Sequence, residues 1–259
     1  MKRKSAWAWL IFWYSNAFLF FKSNSQHHLE YSLNTPSLKH PFGFDSFGRD
    51  LAQIIFKASL TSSSISLGVV AISTFTALIL GTSISFAPKS LRYGFFRILE
   101  TLIIFPSLLF ALTYAAICGP GWDTLNFALL IGIIPSFTRL IYLRTREILV
   151  EDYTVAAHSM GAGPGLIFKN HLFPALLLLC NIKIPNLFAH ALLAEATLSF
   201  LGVGAPIGSD TWGSVLLQAK EYLLENPHIA LASGIPLVLT VLSLQILSES
   251  NSPFTRPKL

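Results

Sequence analysis

Long apolar runs recur six times along this chain, separated by polar segments short enough to turn it back each time. The runs are Ala6 to Phe21, Leu60 to Phe86, Leu99 to Cys118, Thr124 to Leu143, the stretch after Pro174, and Ile229 to Leu247. About 17–25 apolar residues suffice to cross a bilayer as a helix. The expected fold class is therefore all-α, a polytopic membrane protein with about six transmembrane helices. The first run is slightly short, but Trp7, Trp9, Trp13 and Tyr14 give it anchors for both interfaces. Because Ser23-Asn24-Ser25 is a poor cleavage site, it reads as a retained span and not as a removed leader.

Polar positions inside the runs are patterned too. Ser59, Ser62, Ser66, Ser73, Thr76 and Ala77 fall near one side of the second span, a seam of small residues that lets helices approach closely in lipid. Pro106 lies within the third span, a Gly119-Pro120-Gly121 turn follows it, and Pro135 is expected to kink the fourth. The fifth carries Asn181, Lys183, Asn186 and His190 before Glu195. An ionisable group at bilayer depth costs about 2.5–3.5 kcal/mol on insertion scales, so such groups face protein or a watery cavity. Lys183, Asn186 and Glu195 are thus candidates for lining a path through the membrane, with a helix-packing hydrogen bond the alternative for Lys183.

Between the fourth and fifth spans, Glu151 and Asp152 place negative charge where a helix N-terminus favours it, and Gly161 and Pro164 supply a stop. The pattern predicts a short helix over Glu151 to Met160. Its Ala156-Ala157 pair clears a shallow surface that another protein can approach closely. A second short helix, Gly165 to Leu172, returns the chain to the membrane at Pro174.

Composition agrees: of 259 residues 53% are hydrophobic and only 12% charged, against roughly 25% charged in soluble domains. The net charge of +5 does not point to nucleic acid, because the basic residues flank the apolar runs and form no solvated patch. Their placement sets topology. Twelve of the 18 Lys and Arg, from Lys2, Arg3 and Lys4 through Arg144, Arg146 and Lys169 to Arg256 and Lys258, fall on one side; Lys22, Lys39, Arg49, Lys57 and Lys220 fall on the other. Basic ends favour the cytoplasm, so both termini and the segment around Ala156 are expected there. Cys118 and Cys180 lie in apolar runs and read as packing thiols. The chain has no glycine-lysine phosphate loop, so an ATP-driven role needs a separate ATPase. A metal site from His27, His28, Glu30 and His40 is conceivable, but the spacing matches no recognised ligand set.

Three motifs then combine. Ala156-Ala157, Gly161 and the distal Pro174 resemble the EAA loop of ABC importer permeases, which docks on an ATPase subunit. His40-Pro41-Phe42-Gly43-Phe44-Asp45-Ser46-Phe47-Gly48-Arg49-Asp50 resembles the signature before the second span in the peptide and nickel branch of that family, with Phe44 where Thr is common. Glu195-Ala196-Thr197-Leu198-Ser199-Phe200-Leu201-Gly202-Val203-Gly204 and Trp212-Gly213 resemble two further signatures of the branch, and Pro135, Arg139 and Tyr153 reproduce its spacing ahead of the loop. Tyr142 stands where a second Arg is frequent, and the usual Gly-Asp-Gly tail motif is absent. Independently of the resemblance, the turn glycines Gly43 and Gly48 would be held by Asp45, Arg49 and Asp50, and Trp212 suits a headgroup region.

The resemblance implies a type I ABC importer permease fold: an N-terminal span over 1–22, an extracytoplasmic segment over 23–58, and a core over 59–259 with five spans and a cytoplasmic coupling loop over 144–174. It implies ATPase coupling through Glu151, Tyr153, Ala156, Ala157, Gly161 and Pro174. The implied partners are a homologous permease, two ATPase subunits, an extracytoplasmic binding protein and membrane lipid of the bacterial inner membrane. ATP and Mg would sit in the ATPase subunits; no cofactor, metal or catalytic residue is expected in this chain. Di- or oligopeptides are the expected cargo, with nickel the alternative. Two rival classes are a membrane-embedded enzyme using His27, His28 or Glu195, and an ion channel lined by Lys183 and the serine-rich second span.

Overall fold

The computed structural model describes residues 2–20, 29–206 and 208–251, and within these the chain is helical with no strands beyond an isolated bridge between Phe44 and Asp50. Lys22, His27, His28, Arg256 and Lys258 lie outside the described residues, and the side chain of Lys2 is likewise outside the description. The first helix, α1 (Lys2–Phe20), packs on α2 (Leu51–Ser85) and on the last, α10 (His228–Asn251). Trp13 inserts into that junction with its ring 4.8 Å from Phe56, Trp9 Nε1 donates to Thr240 Oγ1 at 3.2 Å, and the Tyr14 hydroxyl bonds Ser63.

Before α2 the chain forms a cross-linked loop. Asp45, only 3% exposed, accepts hydrogen bonds from the backbone of Phe47 (2.9 Å) and Arg49 (2.8 Å), and from Arg49 Nε at 2.7 Å. Asp50 caps α2 by accepting from Ala52 N and also meets His40 Nδ1 at 2.7 Å. That cap starts α2 at Leu51, earlier than the expected Leu60, so the helix reaches back into the segment expected to be extracytoplasmic over 23–58. Gly43 and Gly48 take φ of +76° and +69°, as a loop this tight requires. Removing one partner of a buried ion pair costs about 3–5 kcal/mol. Asp45→Ala is therefore expected to lower the thermal midpoint of the purified protein in detergent by several degrees, while Lys39→Ala, on the same loop, leaves it unchanged.

The serine seam of α2 is confirmed: Ser59, Ser62, Ser66, Ser73 and Ala77 are buried, with Thr76 half-buried. It faces α5 (Trp122–Leu149) and α8 (Phe173–Phe200). Val69 packs near Leu125 and Ala128, and Gly81 against Ile141 and Thr138, so α2 and α5 run in the same direction. Both leave the loop end of the bundle and finish at the opposite end. Cys180 is buried in this core, but Cys118, expected to pack likewise, is exposed, because it ends a helix whose outer face has no neighbour among the described residues.

The third run is not one continuous helix. It divides into α3 (Lys89–Ile104) and α4 (Ser107–Cys118), bent by 83°. Pro106 lacks an N–H and forces Phe105 out of helical geometry (ψ 126°), so the helix has to stop there. By length and composition, four helices among the described residues can cross a membrane, or five with the bent pair as one, against the six expected. The difference is α1, whose Lys2, Arg3, Lys4, Ser15 and Asn16 dilute its apolar character. The second short helix also differs: α7 (Pro164–Ile167) passes through a single π-turn over Phe168–Leu172 into α8, so Pro174 lies in the first turn of a continuous helix.

Candidate functional site

At the end of the bundle reached by α5, the chain turns into α6 (Asp152–Ser159), within a residue of the expected bounds at each end. Thr154 is its buried anchor. Around it Glu151, Tyr153 (49% exposed), Ala156 and Met160 (82%) point outward, and Ala157 is half-buried. The helix stops as the sequence indicates: Gly161, with φ +89°, lets its own N–H reach His158 O at 2.9 Å and the N–H of Ala162 reach Ala157 O at 3.0 Å. That pair of bonds is the C-terminal glycine stop in which the last carbonyls are satisfied by a left-handed residue. The Tyr153 ring lies 5.4 Å from His171, bracing α6 against the π-turn. Between them runs a groove of about 360 Å³ whose walls include Ala157, Met160, Gly161, Leu166 and His171. Pro174 lies outside that groove, exposed at the start of α8. Arg139 is exposed on α5, and Arg144 pairs with Glu147 at 3.0 Å on the surface, where such a pair adds little stability.

Along the side of the bundle, α4, α5 and α8 line an open cavity of about 490 Å³. The residues singled out from sequence do not line it. Glu195 is 0% exposed, turned into the bundle, where its Oε1 accepts from Ser199 Oγ at 2.9 Å and Oε2 has no hydrogen bond. Ser199 Oγ in turn accepts from Ala205 N at 3.2 Å, which fastens α8 to the reversal that follows. Lys183 and Asn186 are half-buried on α8 outside the cavity wall. His190 and Thr197 of α8, with Ser107 of α4 and Ser136 of α5, supply the polar groups instead. The signal for them was present: His190 and Thr197 follow Lys183 at seven-residue steps, which share one helical face.

The reversal holds another correction. Gly202 takes φ +78°, and α9 (Trp212–Ala219) begins with a reciprocal cap between Thr211 and Ser214. Trp212, expected at the headgroup level, is 0% exposed. Its backbone N–H donates to Ser62 Oγ at 3.1 Å and its backbone carbonyl accepts from Ser233 Oγ at 3.1 Å, so α2 and α10 together hold it in the core.

Most of this arrangement lies within one matching stretch of sequence. Residues 73–256 match the family described as binding-protein-dependent transport system inner membrane component. The chain belongs to that family. This inner membrane component is 31% identical over 224 residues, 86% of its length and 75% of the other's, to a Brucella suis protein named for a peptide transport system permease. It is 30% identical over 230 residues to the glutathione transport system permease protein GsiD of Escherichia coli, covering 87% of this chain and 75% of GsiD. Its fold is similar to a chain of the inward-facing MetNI methionine ABC transporter, with a TM-score of 0.54 at 17% identity over 74% of this chain and 94% of that one. The type I importer permease fold and a transport role follow from this membership.

Proposed function

We propose that this chain is one of two homologous transmembrane subunits of an ATP-driven importer for di- or oligopeptides in the bacterial inner membrane. Two ATPase subunits supply the energy, binding ATP and Mg themselves, and an extracytoplasmic binding protein delivers the cargo. The observation that carries the reading is the exposed α6 with its adjoining groove, a small-residue surface with no covering element among the described residues. The names of the Brucella suis and Escherichia coli relatives favour peptides over nickel.

The cycle is alternating access, with both termini and α6 on the cytoplasmic side. Closure of the ATPase pair pulls on α6; because α6 is joined directly to α5 and, through α7 and the π-turn, to α8, its displacement tilts two of the three helices that wall the cavity. ATP drives this only if the docked states contact α6 differently. Glu151, Tyr153, Ala156, Ala157 and Gly161 form the contact, with Pro174 fixing the exit of the loop.

The test is detergent co-purification of this chain with its candidate ATPase and partner permease, followed by peptide uptake into vesicles loaded with ATP. A complex that takes up labelled peptide only with ATP and the binding protein is expected. A well-folded chain that recovers no ATPase, or that conducts ions alone, overturns the proposal.

A further inference from the structure

The cavity between α4, α5 and α8 continues into a second hollow of about 250 Å³ at the bend between α3 and α4, sharing Ser107, Gly132 and Ser136 with it. Pro106 and Pro135 both line that hollow. Each proline lacks an N–H, so the carbonyls one turn earlier lose their helical partners at this depth. Broken backbone inside a membrane is tolerated only where protein covers it or water reaches it. The two hollows form one open groove along the side of the bundle, with Ser107, Ser136 and His190 exposed on it.

Its side chains have a definite chemistry. Ser107, Ser136 and His190 face it, and among the described residues their side chains make no hydrogen bond. Thr197 is spent in part, donating to Leu193 O at 2.7 Å. Leu129, Ile133 and Leu187 supply apolar wall. No carboxylate lines either hollow; the only nearby acid on α8, Glu195, is turned away and fully buried. One turn along α8 from Leu187, the same face carries Lys183, half-buried and with no ion pair among the described residues. The wall therefore offers donors and basic groups without a negative charge, a surface suited to carboxylate and poor for a divalent cation.

We propose that this cavity is a carboxylate-selective transit site, in which His190, with the Ser107 and Ser136 hydroxyls, receives the C-terminal carboxylate of a peptide while the apolar wall accepts its side chains. The inference rests on the peptide-importer reading and adds the end of the peptide that is recognised and the residues that recognise it. His190 is the specificity-determining group, because it is the only side chain of the four that can carry positive charge to the ligand.

The test compares a free-acid tripeptide with its C-terminal amide in proteoliposomes holding the full assembly. Each variant is measured with the same binding protein, so selection before the membrane cancels in the ratio. Loss of a hydrogen bond to a charged group is worth about tenfold or more. His190→Ala is expected to lower kcat/KM for the acid at least about tenfold relative to the amide, with ATPase stimulation by the binding protein retained. Ser107→Ala/Ser136→Ala shifts the ratio the same way by a smaller factor. Should His190→Ala not assemble, His190→Gln is measured, and the same shift in ratio, smaller in size, is expected. An unchanged ratio, or equal losses for acid and amide, overturns the transit site. A wild-type assembly that moves neither peptide overturns the peptide reading itself.

Discussion

Gly161→Asp is expected to leave this chain inserted and folded, yet reduce ATP-driven uptake to background. Two observations separate those halves. An added Cβ at Gly161 meets no atom within 4 Å, so nothing inside the chain is pushed aside. The backbone there has φ +89°, where a residue with a Cβ pays roughly 1–2 kcal/mol, and Asp is among the side chains that tolerate it best. The new carboxylate instead projects from the wall of the groove formed by Ala157, Met160 and Leu166. A surface that docks by close approach of small residues has no room for a hydrated charge, and burying one unpaired is prohibitive. Gly161→Asn carries the same backbone strain without the charge, so it is expected to keep partial uptake and partial recovery of the ATPase. Uptake at the wild-type rate by Gly161→Asp would show that the groove is not the docking contact.

That stop was legible from sequence because it is local: a glycine placed after a short helical stretch can satisfy the last carbonyls from within five residues. The loop at Asp45, Arg49 and Asp50 was readable for the same reason, since the bonds its two aspartates accept from backbone N–H groups span two to four positions. Trp212 was misplaced because an aromatic beside polar residues looks alike at an interface and in a core; what buries it are Ser62, 150 positions earlier, and Ser233. Pro106 was read as lying inside one span, and the 83° bend at it was not foreseen. The cavity residues were missed because α8 is apolar on nearly every side. Polarity then singles out Lys183, Asn186 and Glu195 but not their direction, and only the packing of α8 against α2 shows that Glu195 points inward and His190 outward.

Packing at that same helix makes Gly213→Ala a strongly damaging small substitution. A methyl group there would stand 2.5 Å from the Ala196 carbonyl oxygen and 2.6 Å from Ser199 Cβ. The first obstacle is backbone near the C-terminal end of α8, which cannot rotate away as a side chain can, so α9 has to lift off α8. Lifting it draws Trp212 out of the core and stretches both of its backbone bonds, to Ser62 and to Ser233. Overpacking alone costs about 1–3 kcal/mol; losing two buried hydrogen bonds adds roughly 1–3 kcal/mol for each group left unsatisfied. The sum approaches the whole stability of an ordinary domain, about 5–15 kcal/mol. Gly213→Ala should therefore accumulate poorly in membranes and unfold at a markedly lower temperature in detergent. Gly234→Ala is the control one helix away: its nearest neighbour, Leu216 Cδ2, is 3.9 Å from the added carbon, and the midpoint should hold or rise slightly. Equal midpoints for the two variants would mean that α9 is not seated on α8 as described. A selective fall at Gly213 would instead show that the reversal after α8 is fixed by backbone contact, with Glu195 and Ser199 securing it from beneath.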